Sequence, residues 1–287
     1  MELRAGQYRL QWGERPLLMG IVNVTPDSFF DGGQWYDAHA AVAHAERLVG
    51  EGADILDIGA ESSRPGSLPV EESEELRRML PVMTAVAKAV KIPLSIDTTK
   101  AAVARAALDA GASIVNDITG LRGDDRMAEV VAETGAGLVL MHMQGTPRTM
   151  QQAPAYEDVV EEVSAFFAER LQFALDRGVA RSRIILDPGI GFGKLLSNNL
   201  ELLSQLRTFT KFGCPVLVGP SRKGFLGEIT GRPVEDRLWG TASAVALAVE
   251  RGAAIIRVHD VSEMRDVVAV ASAIAKHVDT TVREQHA

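Results

Sequence analysis

The chain has one cysteine, Cys214. One thiol can neither close an internal disulfide nor build a structural zinc site alone, so a reducing, cytoplasmic setting is expected. Cys214 precedes Pro215 at the start of an apolar run, which predicts a packed side chain. A surplus of positive charge is also missing: 30 Lys and Arg stand against 38 Asp and Glu, for a net charge of −8 and a pI near 5.4. That excludes a general nucleic-acid coat, which needs a basic surface, and leaves room for a local basic pocket. No stretch reaches about 18 consecutive apolar residues, and the opening Met-Glu-Leu-Arg-Ala-Gly-Gln-Tyr has no apolar signal core. Neither membrane spanning nor secretion is expected. With no linker or low-complexity tract, the sequence predicts one domain over residues 1–287.

What is present is regular. Short β-branched runs recur at 18–22, 55–58, 94–96, 113–115, 138–141, 184–186, 216–218 and 255–258, as buried parallel strands do. Between them lie Ala-, Leu-, Glu- and Arg-rich stretches with helical spacing, including 37–50, 71–90, 100–110, 156–177 and 262–276. Gly52-Ala53, Gly111-Ala112, Gly135-Ala136 and Gly252-Ala253 introduce strands, the mark of a helix C-terminus feeding a short αβ loop. Eight strands alternating with helices over about 250 residues match an α/β fold, a (β/α)8 TIM barrel. The rival, a doubly wound open sheet, usually has fewer strands, and its dinucleotide fingerprint is absent. Residues 7–17 read as a short N-terminal β-hairpin ahead of the barrel.

In such a barrel the active site lies at the C-terminal ends of the strands. Those ends carry Asn23; Glu61, Ser62, Ser63 and Arg64; Asp97; Asn116 and Asp117; His142; Asp187; Ser221, Arg222 and Lys223; and Arg257 with His259. Singly, each reads as a helix cap or a rim hydrogen bond. Together, at one rim, they point to a site. Arg257 and His259 are two apart on a strand and share a face, and an arginine pointing into a barrel needs an anion. With Lys223 on the adjacent strand, this corner suits a phosphate or pyrophosphate; the alternative is an internal ion pair with Asp187 or Asp260.

Asp97, Asn116 and Asp187 are suited to reading donors. The two oxygens of a carboxylate match a ring N–H beside an exocyclic NH2, as in a purine or a pterin. The rim thus suggests a nitrogen heterocycle at one end and a polyanion at the other. The same carboxylates could instead bind a metal; no His/Cys cluster suits zinc, whereas magnesium needs only one or two protein oxygens plus phosphate oxygens. Two long loops rich in Gly, Pro and Ser, 23–37 and 61–70, read as lids. Gly189-Ile190-Gly191-Phe192-Gly193-Lys194 fails as a Walker A loop and as a dinucleotide fingerprint, and reads as a βα loop placing Phe192 near the mouth. Met141-His142-Met143 reads as core.

Eight ordered segments carry a resemblance: Asn23-Val-Thr-Pro-Asp-Ser-Phe-Phe-Asp-Gly-Gly33, Glu61-Ser-Ser-Arg-Pro-Gly66, Ser95-Ile-Asp-Thr98, Val115-Asn-Asp-Ile-Thr-Gly120, Leu140-Met-His-Met-Gln-Gly145, Leu186-Asp-Pro-Gly-Ile-Gly-Phe-Gly-Lys194, Ser221-Arg-Lys223 and Ile256-Arg-Val-His-Asp-Val261. From about residue 17 to 275 the chain closely resembles the dihydropteroate synthase family. The resemblance implies a folate-pathway transferase that joins 4-aminobenzoate to (7,8-dihydropterin-6-yl)methyl diphosphate, releasing pyrophosphate, and that sulfonamides inhibit as aminobenzoate mimics.

It further implies that Asp97, Asn116, Asp187 and Lys223 hold the pterin, and that Ser63, Arg257 and His259 bind the diphosphate. Asn23, with Asp31, would coordinate Mg2+. Arg64, Pro65, Phe192 and Ser221 would shape the aminobenzoate pocket, with Phe29 closing over it. Asp97, Lys223, Arg257 and His259 are the expected catalytic residues. The expected partners are these small molecules and, since the family is usually dimeric, a second copy of the chain, with an apolar face on 232–251 and 262–276. The chain has Ser63 where the family usually has Thr, and Asn198-Asn199 where it often has His-Asn. A pterin-dependent methyltransferase would share the fold but has no use for a pyrophosphate corner. A catalytically inactive pterin-binding paralogue would be expected to lose loop residues such as Asn23, Asp31 and Arg64, all present here.

Overall fold

The computed structural model describes residues 2–24 and 34–284. The chain opens with an antiparallel pair, β1 (Glu2–Ala5) and β2 (Tyr8–Gln11), in which Ala5 faces Tyr8. The hairpin thus lies earlier than residues 7–17. Its two-residue loop needs a positive φ, which Gly6 supplies at +54°, and the strands alternate so that Leu3 and Ala5 are fully buried.

The wall is built from β3 (Leu17–Asn23), β4 (Ile55–Gly59), β5 (Leu94–Asp97), β6 (Ile114–Asp117), β7 (Gly137–Met141), β8 (Ile184–Asp187), β9 (Leu217–Val218) and β10 (Ile255–Val258). All are parallel neighbours in the order β8-β7-β6-β5-β4-β3-β10-β9. The seam between β8 and β9 is thin: one bridge, Leu186 to Val216, with Leu186 N donating to Pro215 O at 2.9 Å. The expected barrel is therefore present, and all eight apolar runs lie in its wall. Around it run α1 (Gln34–Glu51), α2 (Glu72–Ala89), α3 (Ala101–Asp109), α4 (Met127–Thr134), α5 (Val159–Asp176), α6 (Leu196–Ser204), α7 (Gly224–Thr230), α8 (Leu238–Glu250) and α9 (Val261–Glu284). The stretch 232–251 is helical only from Leu238. Pro233 disfavours helix at Arg232, and a short 3-10 turn fills Val234–Asp236.

Strand alternation sorts the apolar residues into two layers. Leu18, Val22, Leu56 and Ile58 face the helices. Leu17, Met19, Ile55, Ile114, Val139, Ile185, Leu217 and Ile255 fill the lower interior, where Leu3 and Ala5 of the hairpin join them as a plug. Burying a side chain such as Leu3 contributes about 1.5–3 kcal/mol. Above this plug the inward positions turn polar, with Asp57 on β4, Ser95 and Asp97 on β5, Asn116 on β6, Asp187 on β8 and Arg257 on β10. Cys214 is packed, at 5% exposure.

The loop after β8 lies directly on the end of β7. Gly189 has φ +67°, and a Cβ there would sit 2.0 Å from the His142 carbonyl oxygen. Gly189→Ala is therefore expected to lower stability by about 2 kcal/mol or more, combining left-handed strain with a backbone clash. Thermal unfolding followed by circular dichroism should show a midpoint at least about 4 °C lower.

Candidate active site

At the mouth, Asp97, Asn116, Ile118, Met141, Asp187, Ile190, Phe192, Gly219, Lys223 and Arg257 line a pocket open to solvent. Six of these were expected from the sequence: Asp97, Asn116, Asp187, Phe192, Lys223 and Arg257.

Arg257 reaches the barrel interior from β10 and is held there by two carboxylates. Its Nε donates to Asp57 Oδ2 at 2.6 Å and its Nη2 to Asp97 Oδ2 at 3.1 Å. The internal partners are thus Asp57 and Asp97, not Asp187 or Asp260. Asp260 pairs instead with Arg222, through 2.7 and 3.0 Å contacts. Asp57 Oδ2 also accepts from Asn116 Nδ2 at 3.0 Å. Asp57 is completely buried, and its Oδ1 and Asn116 Oδ1 have no partner among the described residues. Buried acceptors normally find donors, so two acceptors near the pocket floor are suited to N–H groups of a ligand or to water.

Asp57, which holds Arg257 and Asn116, is not among the residues expected from the sequence, because it lies within the apolar Ile55–Ile58 run. The signal was there: a carboxylate inside a buried strand, two residues before the rim and on the inward parity. Ile118, Met141, Ile190 and Gly219 were also missed, being apolar or small and without a chemical mark of their own.

Several groups here titrate near neutrality. Burial, reinforced by the Asp57 carboxylate, pushes Asp97 up to about 7 against the pull of Arg257 and Lys223. Burial raises Asp187 to about 6, although Gly189 N donates to its Oδ1 at 2.7 Å. Burial and then Arg257 push Lys223 down to about 8. The Lys223 ammonium lies 3.9 Å from the centre of the Phe192 ring, a cation–π contact.

Ser221, Arg222 and Lys223 follow β9 as a strained turn. Arg222 has φ +56° and is anchored outside by Asp260, while its neighbours serve the rim. Ser221 Oγ accepts from His259 N at 3.2 Å and lies 2.9 Å from His259 Nδ1. Burial and Arg257 lower His259 to about 4, so the ring is neutral at pH 7. Where the Ser221 hydroxyl donates to Nδ1, a neutral ring carries its proton on Nε2.

Other expected residues lie outside the pocket. Ser63 is half-buried on the 60–70 loop, and Arg64 and Pro65 are exposed there. Asn23 ends β3, level with Gly59, which in turn pairs with Asp97. Asp31 and Phe29 lie outside the described residues. Asp117 has a structural role, accepting from Thr119 N, Thr119 Oγ1 and Leu121 N. Asn198 and Asn199 secure the loop before α6: Asn198 Oδ1 accepts from Leu195 N at 3.0 Å, and Asn199 Oδ1 from Gly191 N at 2.7 Å. His142 is buried beside Lys194, whose Nζ lies 3.1 Å from its Nδ1.

Known proteins resemble this chain in sequence and fold. The pterin binding enzyme family matches residues 19–259. The dihydropteroate synthase of Synechocystis sp. is 45% identical over 273 residues, 95% of this chain and 94% of that protein. Among solved structures, the Yersinia pestis dihydropteroate synthase with a sulfonamide drug is 42% identical, with 96% of this chain and 100% of that one covered and a TM-score of 0.90. The Xanthomonas albilineans enzyme with 4-aminobenzoic acid is 46% identical, with 95% and 97% covered and a TM-score of 0.89. The chain belongs to the pterin-binding enzyme family and, within it, to the dihydropteroate synthases.

Proposed function

We propose that this dihydropteroate synthase takes (7,8-dihydropterin-6-yl)methyl diphosphate as donor and 4-aminobenzoate as acceptor, works with Mg2+, and acts as a homodimer in the cytoplasm. The observation that carries the reading is one pocket that joins acceptors for a heterocycle's N–H groups, at Asp97, Asn116 and Asp187, to the cations Lys223 and Arg257. A methyltransferase would not need that cationic side.

In this reading the pterin lies over the polar floor, with Asp97, Asn116 and Asp187 accepting from its ring and amino N–H groups. Lys223 and Arg257 face the anionic end. Arg257 gives two of its five N–H donors to Asp57 and Asp97, which fixes the guanidinium plane and leaves donors for diphosphate oxygens. His259 offers Nε2–H as a neutral donor. As the methylene C–O bond breaks, these donors stabilise charge at the leaving oxygen, and the Asp97 carboxylate stabilises the electron-poor methylene. An aniline nitrogen is already nucleophilic, so attack needs no strong base. Phe192, Ser221 and the 60–70 loop with Ser63, Arg64 and Pro65 border the side from which 4-aminobenzoate arrives.

The donor set fits magnesium. Asn23 offers a hard amide oxygen at the rim, and no group of three or more His, Cys, Asp or Glu gathers among the described residues to form an all-protein cage. Magnesium is commonly held by one or two protein oxygens with phosphate oxygens and water completing the shell. Asn23, with Asp31, would hold it, and it would neutralise charge on the diphosphate.

Arg257→Ala should lower kcat by about 10²–10³, as loss of a transition-state donor does, in steady-state pyrophosphate release by protein whose folding has been checked; a loss under about threefold would remove Arg257 from this role. The profile of kcat/KM against pH reports the free enzyme. Asp97 loses its charge below about 7 and Lys223 loses its charge above about 8, so activity should peak between those values. Lys223→Arg keeps its charge and should abolish the alkaline limb. For the dimer, Trp239 and Leu247 on α8 and Val270 and Ile274 on α9 are 78, 51, 61 and 60% exposed. Sedimentation should give twice 30.8 kDa, and Trp239→Glu with Leu247→Glu should give the monomer.

A further inference from the structure

The 60–70 loop stands on two feet, and both end on one lysine. Lys100 follows β5 three residues after Asp97 and caps α3. Its ammonium bonds Glu61 Oε2, at the loop's entry, and Glu75 Oε2, in the first turn of α2 beyond its exit, the latter at 2.5 Å. Glu75 is completely buried, while the Lys100 and Glu61 side chains are about one-fifth and one-quarter exposed, at 21 and 25%. A second arm holds the entry: Arg78 of α2 reaches the Ala60 carbonyl at 3.4 Å. Higher up, Ser67 Oγ donates to Ser62 O at 2.5 Å, pinching off the crest Ser63–Gly66. Gly66 N bonds Pro147 O of the neighbouring loop at 2.9 Å.

We infer that Lys100, through Glu61, is a positioning residue that fixes the feet of this loop to the strand end carrying Asp97, and so sets where Ser63 and Arg64 stand beside the aminobenzoate side of the pocket. Neither Lys100 nor Glu61 lines the pocket, so both act through the loop. The inference rests on the reading of that loop as the aminobenzoate wall. The clasp joins two βα units, β4–α2 and β5–α3, at the rim, above the strand pairing and helix packing that also couple them. Glu61 lies two residues before Ser63, too few for slack to be absorbed between them. The Lys100–Glu75 pair anchors the lysine whether or not Glu61 is present. Loss of Glu61 therefore removes one of the two holds on the entry, leaving only Arg78 on the Ala60 carbonyl, without leaving a buried charge unpaired, which would be strongly destabilising.

The test measures three quantities on the full-length enzyme: KM for 4-aminobenzoate, affinity for 6-hydroxymethylpterin by calorimetry, and the thermal midpoint. Glu61→Ala should raise KM for 4-aminobenzoate about tenfold, the scale of modest misplacement, with pterin affinity and midpoint unchanged. Lys100→Met combined with Glu75→Met, which replaces the buried pair by apolar chains of similar volume, should reproduce that rise. Lys100→Arg, which keeps the charge and reach, should restore values near the starting enzyme. Arg64→Ala is the control in the same assay. If Arg64→Ala raises KM and Glu61→Ala leaves it within twofold, the clasp has no positioning role. If neither raises it, the loop is not the aminobenzoate wall and the inference falls with that reading. A parallel loss of pterin affinity and midpoint in Glu61→Ala would also overturn it, as the mark of a purely structural contact.

Discussion

A guanidinium inside a barrel cannot shed its proton and cannot stay unpaired, and in this chain that constraint organises the whole mouth. Arg257 projects inward just above the apolar plug, and Asp57 and Asp97 neutralise it. The same oxygen that takes Arg257 Nε, Asp57 Oδ2, also takes the Asn116 amide. Side chains from β4, β5, β6 and β10, spread over 200 residues of sequence, are therefore locked across the interior rather than only along the wall. A buried network of this kind is weak evidence of stability. What it supplies here is geometry, because the groups that face the ligand cannot reorient independently. The hairpin contributes from below: Leu3 and Ala5 fill the lower end of the barrel and give the polar layer a floor.

The polar layer also has a charge state that responds to what enters. Asp97, pushed up to about 7, and Lys223, pushed down to about 8, lie in opposite directions from their ordinary values because burial disfavours both charges. Each is the other's partial remedy. An incoming polyanion favours the protonated lysine and also the protonated carboxyl, whereas a developing cation on the substrate favours the carboxylate.

Much of this was legible in the sequence, and the reasons for the rest are specific. Asp97, Asn116, Asp187 and Lys223 could be read because each ends or follows a short β-branched run, and a barrel sends strand ends to one rim. The parity of Arg257 was read correctly, but not its partner. Asp57 sits inside an apolar run, where a hydrophobicity pattern absorbs one charge without breaking. The hairpin lies earlier than residues 7–17 because its turn is made at Gly6 and not at Gly13. Only the register of Ala5 against Tyr8 distinguishes the two turns. The helices α4 and α7, of eight and seven residues, are too short for periodicity to separate from loop. Arg64 and Pro65 are exposed on their loop because loop conformation depends on contacts such as Ser67 to Ser62 that no local pattern encodes.

A chain with a net charge of −8 nevertheless builds an anion-facing corner, and it does so by pairing rather than by surplus. Asp57, Asp97 and Asp187 are set against Arg257, Lys223 and Lys194 in one small volume. Lys194 is 3% exposed, donates to the Phe192 and His142 carbonyls at 3.0 and 3.3 Å, and is pushed by burial down to about 7. It ties the loop bearing Phe192 to the end of β7 while its charge offsets Asp187. Arg257 is held by two carboxylates, Lys194 by two carbonyls and Lys223 against the Phe192 ring, so none collapses onto the surface. Because Asp97 and Asp187 have raised values, their counter-charge would weaken beside any anion that enters. Local arrangement, not overall charge, thus decides which ligand the mouth can take.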